Sequence, residues 1–476
     1  MSPALLPFGD LIGAEEFARF VTSSPGKRRR IYPPDVTLRA FLSQVVGRAG
    51  SCQEAVTEVC LANALNSKRS PSLNTASYSR ARGRLNVAAI KDLAREVHLE
   101  TNKAADERWC WKGRKVTIID GSTIAMADTP DNVAVYPKRS NHNEYLGYPL
   151  ARVMMACSLE TGSVADFSIS PWRGKSTGEI PLGAKLLDTF ERGNIVLADA
   201  MFVSYSFIGL CQRRGLDFVG HKKANRKFTI LAEQRIGDGD RLIKIKKPRI
   251  PHTGWIQEDV YSDLPDTITL RETKINIEKI GFRTRSVTVL STLTDVEKYS
   301  KSDLAQLLIA RWNIELDLRI VKTELGLKFL RAKTPDMVIK EIWVNLLAFN
   351  LIRRLINAVA SVENIEPRRI SFKKTLDYYL TSYRLIRFNV HRLAKIAVAT
   401  ISRFFLRKQD GRFEPRARKT TQGRNDYNTL TLPRHQWKLL QILPHLEDKM
   451  KFSQPLKEAL DAMRQRITNK DGRPMY

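Results

Sequence analysis

Two short β-branched runs, each closed by an aspartate and small residues, limit what this chain can fold into more than any other feature. They are VTIIDGS (116–122) and NIVLADAM (194–201). Runs this short and this apolar suit strands buried on both faces, in a sheet covered by helices. Between them, LARVMMACSLETGSVADFSIS (150–170) predicts a hairpin around a Gly turn, and GEIPLGAKLLDTF (178–190) predicts a helix. The pattern is α/β. An aspartate finishing such a strand, Asp120 or Asp199, leaves the core and enters the crevice where open α/β sheets bind ligands. Acidic residues also finish strands simply as turn formers, so one alone says little. Two imply convergent carboxylates, the hard oxygen ligands that Mg2+ takes.

A third carboxylate comes from SKSDLAQLLIARWNIELDLRIVKTELG (300–326), which predicts one long helix with Ser and Asp at its start and Gly326 as its stop. At about 100° per residue, Arg311, Glu315 and Lys322 share a stripe roughly 40° wide, whereas Asp317 and Glu324 project from the far side. An i,i+4 ion pair of Arg311 with Glu315 accounts for that stripe at a few tenths of a kcal/mol. The helix follows a strand of the same β/α pattern, which makes Glu315 a candidate partner for the two aspartates. Carboxylates from two strands and a helix suit two divalent ions about 3.5–4 Å apart, an arrangement for phosphodiester chemistry. Two Mg2+ ions are therefore expected, with Mn2+ able to substitute.

Charge points the same way. Lys and Arg number 79 against 50 Asp and Glu, a net +29. A surplus of that size attracts polyanions, nucleic acid first and an anionic membrane surface second. The N-terminal stretch MSPALLPFGDLIGAEEF has no basic region followed by an apolar core, so no secretory signal is expected. No uninterrupted apolar stretch reaches spanning length, which argues against a membrane partner. Cys52, Cys60, Cys110, Cys157 and Cys211 are scattered without CxxC spacing and read as reduced thiols in a cytoplasm, without a zinc site.

Residues 1–108 read as helical, through 38–49, 53–66 and 87–103. Between the last two helices, SYSRARGRLN carries Arg80, Arg82 and Arg84, either a DNA contact or a solvated basic loop. Lys222 and Lys223, with Arg226 and Lys227, follow the strand after Asp199 and are placed to grip a phosphate backbone; lysines also protect sheet edges. His221 beside them reads as a surface residue and Cys211 as packing. Residues 224–286 alternate and are basic, an inserted antiparallel β region, and helices follow through 341–360 and 375–388. The segment 406–424 is basic and punctuated by Gly and Pro, a mobile loop in expectation.

These residues resemble the DDE transposases of the insertion-sequence-four family, the group with the YREK signature. The resemblance covers most of residues 35–435 and rests on IIDGSTIAMADTPDN with GYPLARVMMACSLETG, on LADAMFVSYSFIGLCQRRGLDFVGHKKAN, and on Arg311, Glu315 and Lys322 at the signature spacing. It implies a ribonuclease-H-like core, 109–223 and 287–345, interrupted by the β insertion at 224–286. A helical DNA-end-binding domain (1–108) and a helical C-terminal region (346–476) would flank it. Asp120, Asp199 and Glu315 would be the metal-binding catalytic triad, and Arg311 and Lys322 would hold phosphate at the transposon end. Arg80, Arg82 and Arg84 would read the terminal inverted repeat. The reaction implied is cleavage of the element's ends and joining of the 3′-hydroxyls to target DNA, by a homodimer on paired ends in a prokaryotic cytoplasm, at the nucleoid. Leu308 stands where the signature has tyrosine, and Trp312 either replaces a base-holding Trp of some relatives or packs in the core. Two other readings keep parts of this pattern: a structure-selective nuclease or resolvase of the same fold, and a DNA-binding relative that has lost catalysis.

Overall fold

The computed structural model describes residues 6–24, 31–47, 50–65, 67–68, 70–138, 147–249, 254–276, 286–385, 398–404 and 454. The basic segment 406–424 lies outside them. The chain opens with α1 (Ala14–Thr22), α2 (Pro34–Val46), α3 (Cys52–Leu65), α4 (Ala76–Arg84) and α5 (Val87–Lys103). The Arg-rich stretch expected between helices is itself largely helix α4. Asn74 Oδ1 accepts the Ala76 N–H at its start, and Tyr78 and Ala81, three residues apart, are buried in a cluster with Ala40, Val56 and Val59. That pair of anchors outweighs the loop composition.

Eighteen further elements follow: β1 (Val116–Met126), α6 (Pro130–Val135), β2 (Leu150–Ser158), β3 (Val164–Pro171), α7 (Glu179–Leu186), β4 (Ile195–Ala198), α8 (Tyr205–Arg213), β5 (Asp217–Lys222), β6 (Ile230–Gly237), β7 (Asp240–Lys246), α9 (Glu258–Ser262), β8 (Thr267–Asn276), β9 (Ser286–Ser291), α10 (Lys301–Ala310), α11 (Trp312–Thr323), β10 (Phe329–Leu330), α12 (Pro335–Glu363) and α13 (Phe372–Leu385). The strands form one sheet in the order β3-β2-β1-β4-β5-β9-β8-β7-β6, with β10 paired to β1. β2 pairs antiparallel with β1 and β3 antiparallel with β2, whereas β4 and β5 run parallel to β1. This is the ribonuclease-H-like arrangement of an α/β fold. The antiparallel strands β6, β7 and β8 extend the same sheet through β9.

Burial explains the layering. All four residues of β4 are buried, because helices cover both faces. Ile119, Val196 and Ala198 pack with α7 and α8; Ile118, Ile195 and Leu197 pack with α2, α5, α11 and α12. Among the described helices, α12 alone is long and apolar enough to cross a membrane, and it is buried in this core.

Two elements differ from expectation. β1 does not stop at Asp120 but runs six residues further, to Met126, because β2 pairs with it throughout. The long helix at 300–326 is two helices. Arg311 N–H bonds to Leu308 O, and Ile314 N–H bonds to Arg311 O, so i→i−3 bonds replace the α-helical ladder at the junction of α10 and α11.

Candidate active site

The site begins where β4 ends. Ile119 of β1 is paired with Ala198 of β4. Asp120 and Asp199 are therefore the next residues on two neighbouring parallel strands, whose spacing is about 4.8 Å. β4 stops there because Asp199 opens a tight turn over Ala200–Phe202. β1 continues, and its next partner on that side is β10, at Ala125. Its edge from Asp120 to Ile124 thus borders a crevice at the point where the sheet's direction changes.

α11 lies against β1 and brings the remaining charges. Lys322 Nζ donates to Ser122 Oγ at 2.7 Å. Ser122 is two residues along the strand from Asp120 and shares its face. Arg311 Nη2 stands 3.5 Å from Glu315 Oε1, and its guanidinium lies 5.3 Å from the centre of the Trp312 ring. Trp312 is 39% exposed, which excludes core packing. Burial pushes the Asp120 carboxyl up to about 6; the negative charges of Glu315 and Asp199 add to the rise, and the Gly121 N–H and Arg311 oppose it. Asp120 thus feels the charge of both other acids. Among the described residues, no group of three or more His, Cys, Asp or Glu side chains is gathered closely enough to hold a metal ion. The expected closed cage is not formed by these side-chain positions, and Glu315 leans on Arg311. The donor set nevertheless suits a hard cation, because every candidate ligand is a carboxylate.

His221, expected at the surface, is half-buried at the end of β5. Burial lowers its pKa, Asp199 raises it, and Arg311 and Lys223 lower it, so it belongs to the same field. Lys222 is engaged by Glu272, which also holds Arg241, whereas Lys223 is exposed. Arg82 is turned into the N-terminal helices: it donates to Gln44 Oε1 at 3.1 Å and lies over the rings of Phe41 and Tyr78. Arg80 and Arg84 are exposed. The two acids expected on the far side of the helix are both paired, Glu324 with Lys373 and Asp317 with Arg353 and Arg368. Sequence reading missed Ser122, although its two-residue spacing from Asp120 was a signal; the partners of Asp317 had none.

A ribonuclease-H-like sheet with acids at the end of its central parallel pair, flanked by cations, is an arrangement suited to the phosphodiesters of nucleic acid. Residues 111–351, half of the chain, match the family described as the transposase DDE domain, and the chain belongs to that family. It is similar to the transposase InsG for insertion sequence element IS4 of Escherichia coli (strain K12), with 23% identity over 380 residues, 78% of this chain and 81% of the relative. It is also similar to the piggyBac transposase in a cryo-EM synaptic complex with hairpin DNA, at 14% identity and a TM-score of 0.38, covering 86% of this chain and 85% of that one. The chain is a DNA transposase, an enzyme that cuts DNA and transfers its strands, and divalent metal use is general in its family.

Proposed function

We propose that this transposase binds the terminal inverted repeats of an insertion sequence, cuts the element's ends and joins the freed 3′-hydroxyls to target DNA. Asp120, Asp199 and Glu315 are the catalytic acids, and they would hold two Mg2+ ions, or Mn2+ in their place. The ions would supply an activated water or hydroxyl and charge stabilisation for the departing oxygen. The rest falls to the chain's own side chains. Arg311 and Lys322 border the crevice on either side of Glu315 in sequence and neutralise phosphate there. Ser122 holds the Lys322 ammonium on the Asp120 face of β1, which limits its motion. Asp120 is half-buried on β1, and its carboxyl, raised to about 6, is ionised and open to a cation above that pH.

The helical region 1–108 would grip the repeat through exposed groups such as Arg80 and Arg84, while Arg82 serves the packing of that region. Lys223 would contact backbone phosphate beside the crevice; Lys222 would do so only by leaving Glu272. The β insertion at 224–286 would extend the catalytic sheet of 109–223 and 287–345, and of the helical region 346–476 the described part is the end of α12, α13 and a few residues beyond. Two ends must be joined, so the working form is a homodimer on paired ends, acting on DNA in a prokaryotic cytoplasm.

The observation that carries this reading is the strand register that sets Asp120 beside Asp199, with Glu315 in the same electrostatic field. Purified Asp120→Ala and Glu315→Ala proteins should retard inverted-repeat DNA but fail to nick it with Mg2+. Nicking at the wild-type rate by either variant would overturn the catalytic assignment.

A further inference from the structure

The face of α11 opposite Glu315 carries a buried charge cluster that the chemistry above does not use. Asp317 lies two residues on from Glu315, about 200° around the helix, and its side chain is only 1% exposed. It accepts from Arg353 of α12 at 2.6 Å and from Arg368 at 3.0 Å, both of them buried or nearly so. Arg368 also donates to the backbone carbonyls of Leu159 and Ser158, at the end of β2. The Leu159 N–H in turn donates to Val116 O, at the start of β1, at 2.9 Å.

One carboxylate on α11 is therefore tied to the strand pair that carries Asp120, which is itself paired with Met155 of β2. The turn between β2 and β3 is shaped for this cluster. Gly162 has φ +70°, and a Cβ there would come within 2.9 Å of the Arg353 guanidinium. Two further facts matter. First, α11 is separated from α10 by the i→i−3 turn at Arg311, so continuity with α10 does not fix its rotation. Second, buried ion clusters are poor sources of stability compared with apolar packing of the same volume, whereas they do fix relative geometry in some proteins.

We infer that Asp317 is a positioning residue: through Arg353 and Arg368 it locks the rotation of α11 against β1 and β2, so that Glu315 is presented at a fixed place opposite Asp120 and Asp199. This inference rests on the proposed role of Glu315. The locking acts through the helix, and no atom of Asp317 touches the reacting groups.

The test uses the full-length protein on inverted-repeat DNA, with Mn2+ binding followed by electron paramagnetic resonance alongside nicking. Asp317→Asn removes the charge that both arginines hold. Arg368→Lys keeps the positive charge and leaves Asp317 paired with Arg353, but replaces the guanidinium that joins Asp317 to the Leu159 and Ser158 carbonyls. Both variants should retain DNA retardation, bind Mn2+ about tenfold more weakly, and nick slowly even at saturating Mn2+. A purely structural role would lower the melting temperature and leave the Mn2+ titration in place, which overturns the inference. So would an Arg368→Lys protein with wild-type Mn2+ affinity and nicking, whether or not Asp317→Asn folds, and so would loss of folding in both. A wild-type protein that fails to nick the repeat sinks the Glu315 assignment. One that nicks while both variants match it sinks the positioning role alone.

Discussion

Asp120 holds its carboxyl half-buried on β1, within reach of the charges of Glu315 and Asp199, and that arrangement is costly before any cation arrives. Its pKa rises from 3.8 to about 6, with burial the largest cause. In the unfolded chain the group loses its proton near 3.8; in the folded chain it keeps the proton until about 6. The stability this group contributes is thus fully present below pH 3.8 and is lost as pH rises through about 6. At about 1.36 kcal/mol per pKa unit, the loss comes to about 3 kcal/mol. That is a substantial part of the roughly 5–15 kcal/mol that holds an ordinary domain together. Asp120→Asn has nearly the same shape and does not titrate. In chelator-containing buffer its stability advantage over the wild type should grow between pH 4 and 6 and level off near 3 kcal/mol above that, with roughly half in place at pH 5. Urea denaturation at pH 5, 6, 7 and 8, followed by tryptophan fluorescence and far-ultraviolet circular dichroism, measures it. The same variant should have lost nicking, and added Mg2+ should stabilise it less than the wild type. If the advantage does not change with pH, or if Asp120→Asn is the less stable protein at pH 8, Asp120 does not sit in the environment described.

Lys322→Met removes the cation proposed to neutralise phosphate; if that charge contributes about 1.5–3 kcal/mol in the transition state, nicking at saturating DNA should fall about ten- to hundredfold; an unchanged rate would remove Lys322 from the site. Arg271→Ala leaves Asp240 buried with its main partner gone, Arg271 being 2% exposed and bonded to it at 3.0 Å. A loss of about 3–5 kcal/mol is expected from the urea midpoint, with DNA affinity per folded molecule unaltered. Arg80→Ala should reduce the slope of log affinity against log salt by about 0.9 if it meets one phosphate. Arg82→Ala should keep that slope and instead melt the N-terminal helices earlier, since its guanidinium packs on Phe41 and Tyr78.

Where local pattern decides structure, the sequence was legible. The hairpin at 150–170 is β2 and β3, and the alternating basic stretch is a set of antiparallel strands. The two aspartates could be placed because a buried run has to end, and a polar residue at its end is visible in one dimension. The continuation of β1 was not visible: Asp120, Gly121, Ser122 and Thr123 have the composition of a turn, and only the pairing with β2 keeps them extended. Helix α4 was hidden for a similar reason, since three arginines and two serines obscure the Tyr78 and Ala81 anchors. Nothing in 300–326 marks the break at Arg311, where neither Pro nor Gly occurs. Arg80 and Arg82 look alike in sequence and differ only through Gln44 and Phe41, about forty positions away.

The charges of RWNIELDLRIVKTE divide according to helix phase, and the division bears on how the enzyme works. The net +29 of the chain draws in any polyanion, but a diffuse field does not choose a bond. Choice comes from fixed groups, and on α11 these stand on two faces about 200° apart. Lys322 reaches Ser122 of β1, and Glu315 lies within the charge field of Asp120. Asp317 turns toward Arg353 and Arg368, and is so buried that no ordinary surface role is open to it. A slip of one residue would rotate the helix by about 100°, taking Glu315 off the crevice and exposing the two buried arginines to an apolar side chain. The penalty for uncovering those cations is far larger than the few tenths of a kcal/mol in the Arg311–Glu315 pair. The inward acid therefore sets the helix phase, the outward acid inherits its position from it, and Arg311, at the junction of α10 and α11, supplies the positive charge on which Glu315 leans.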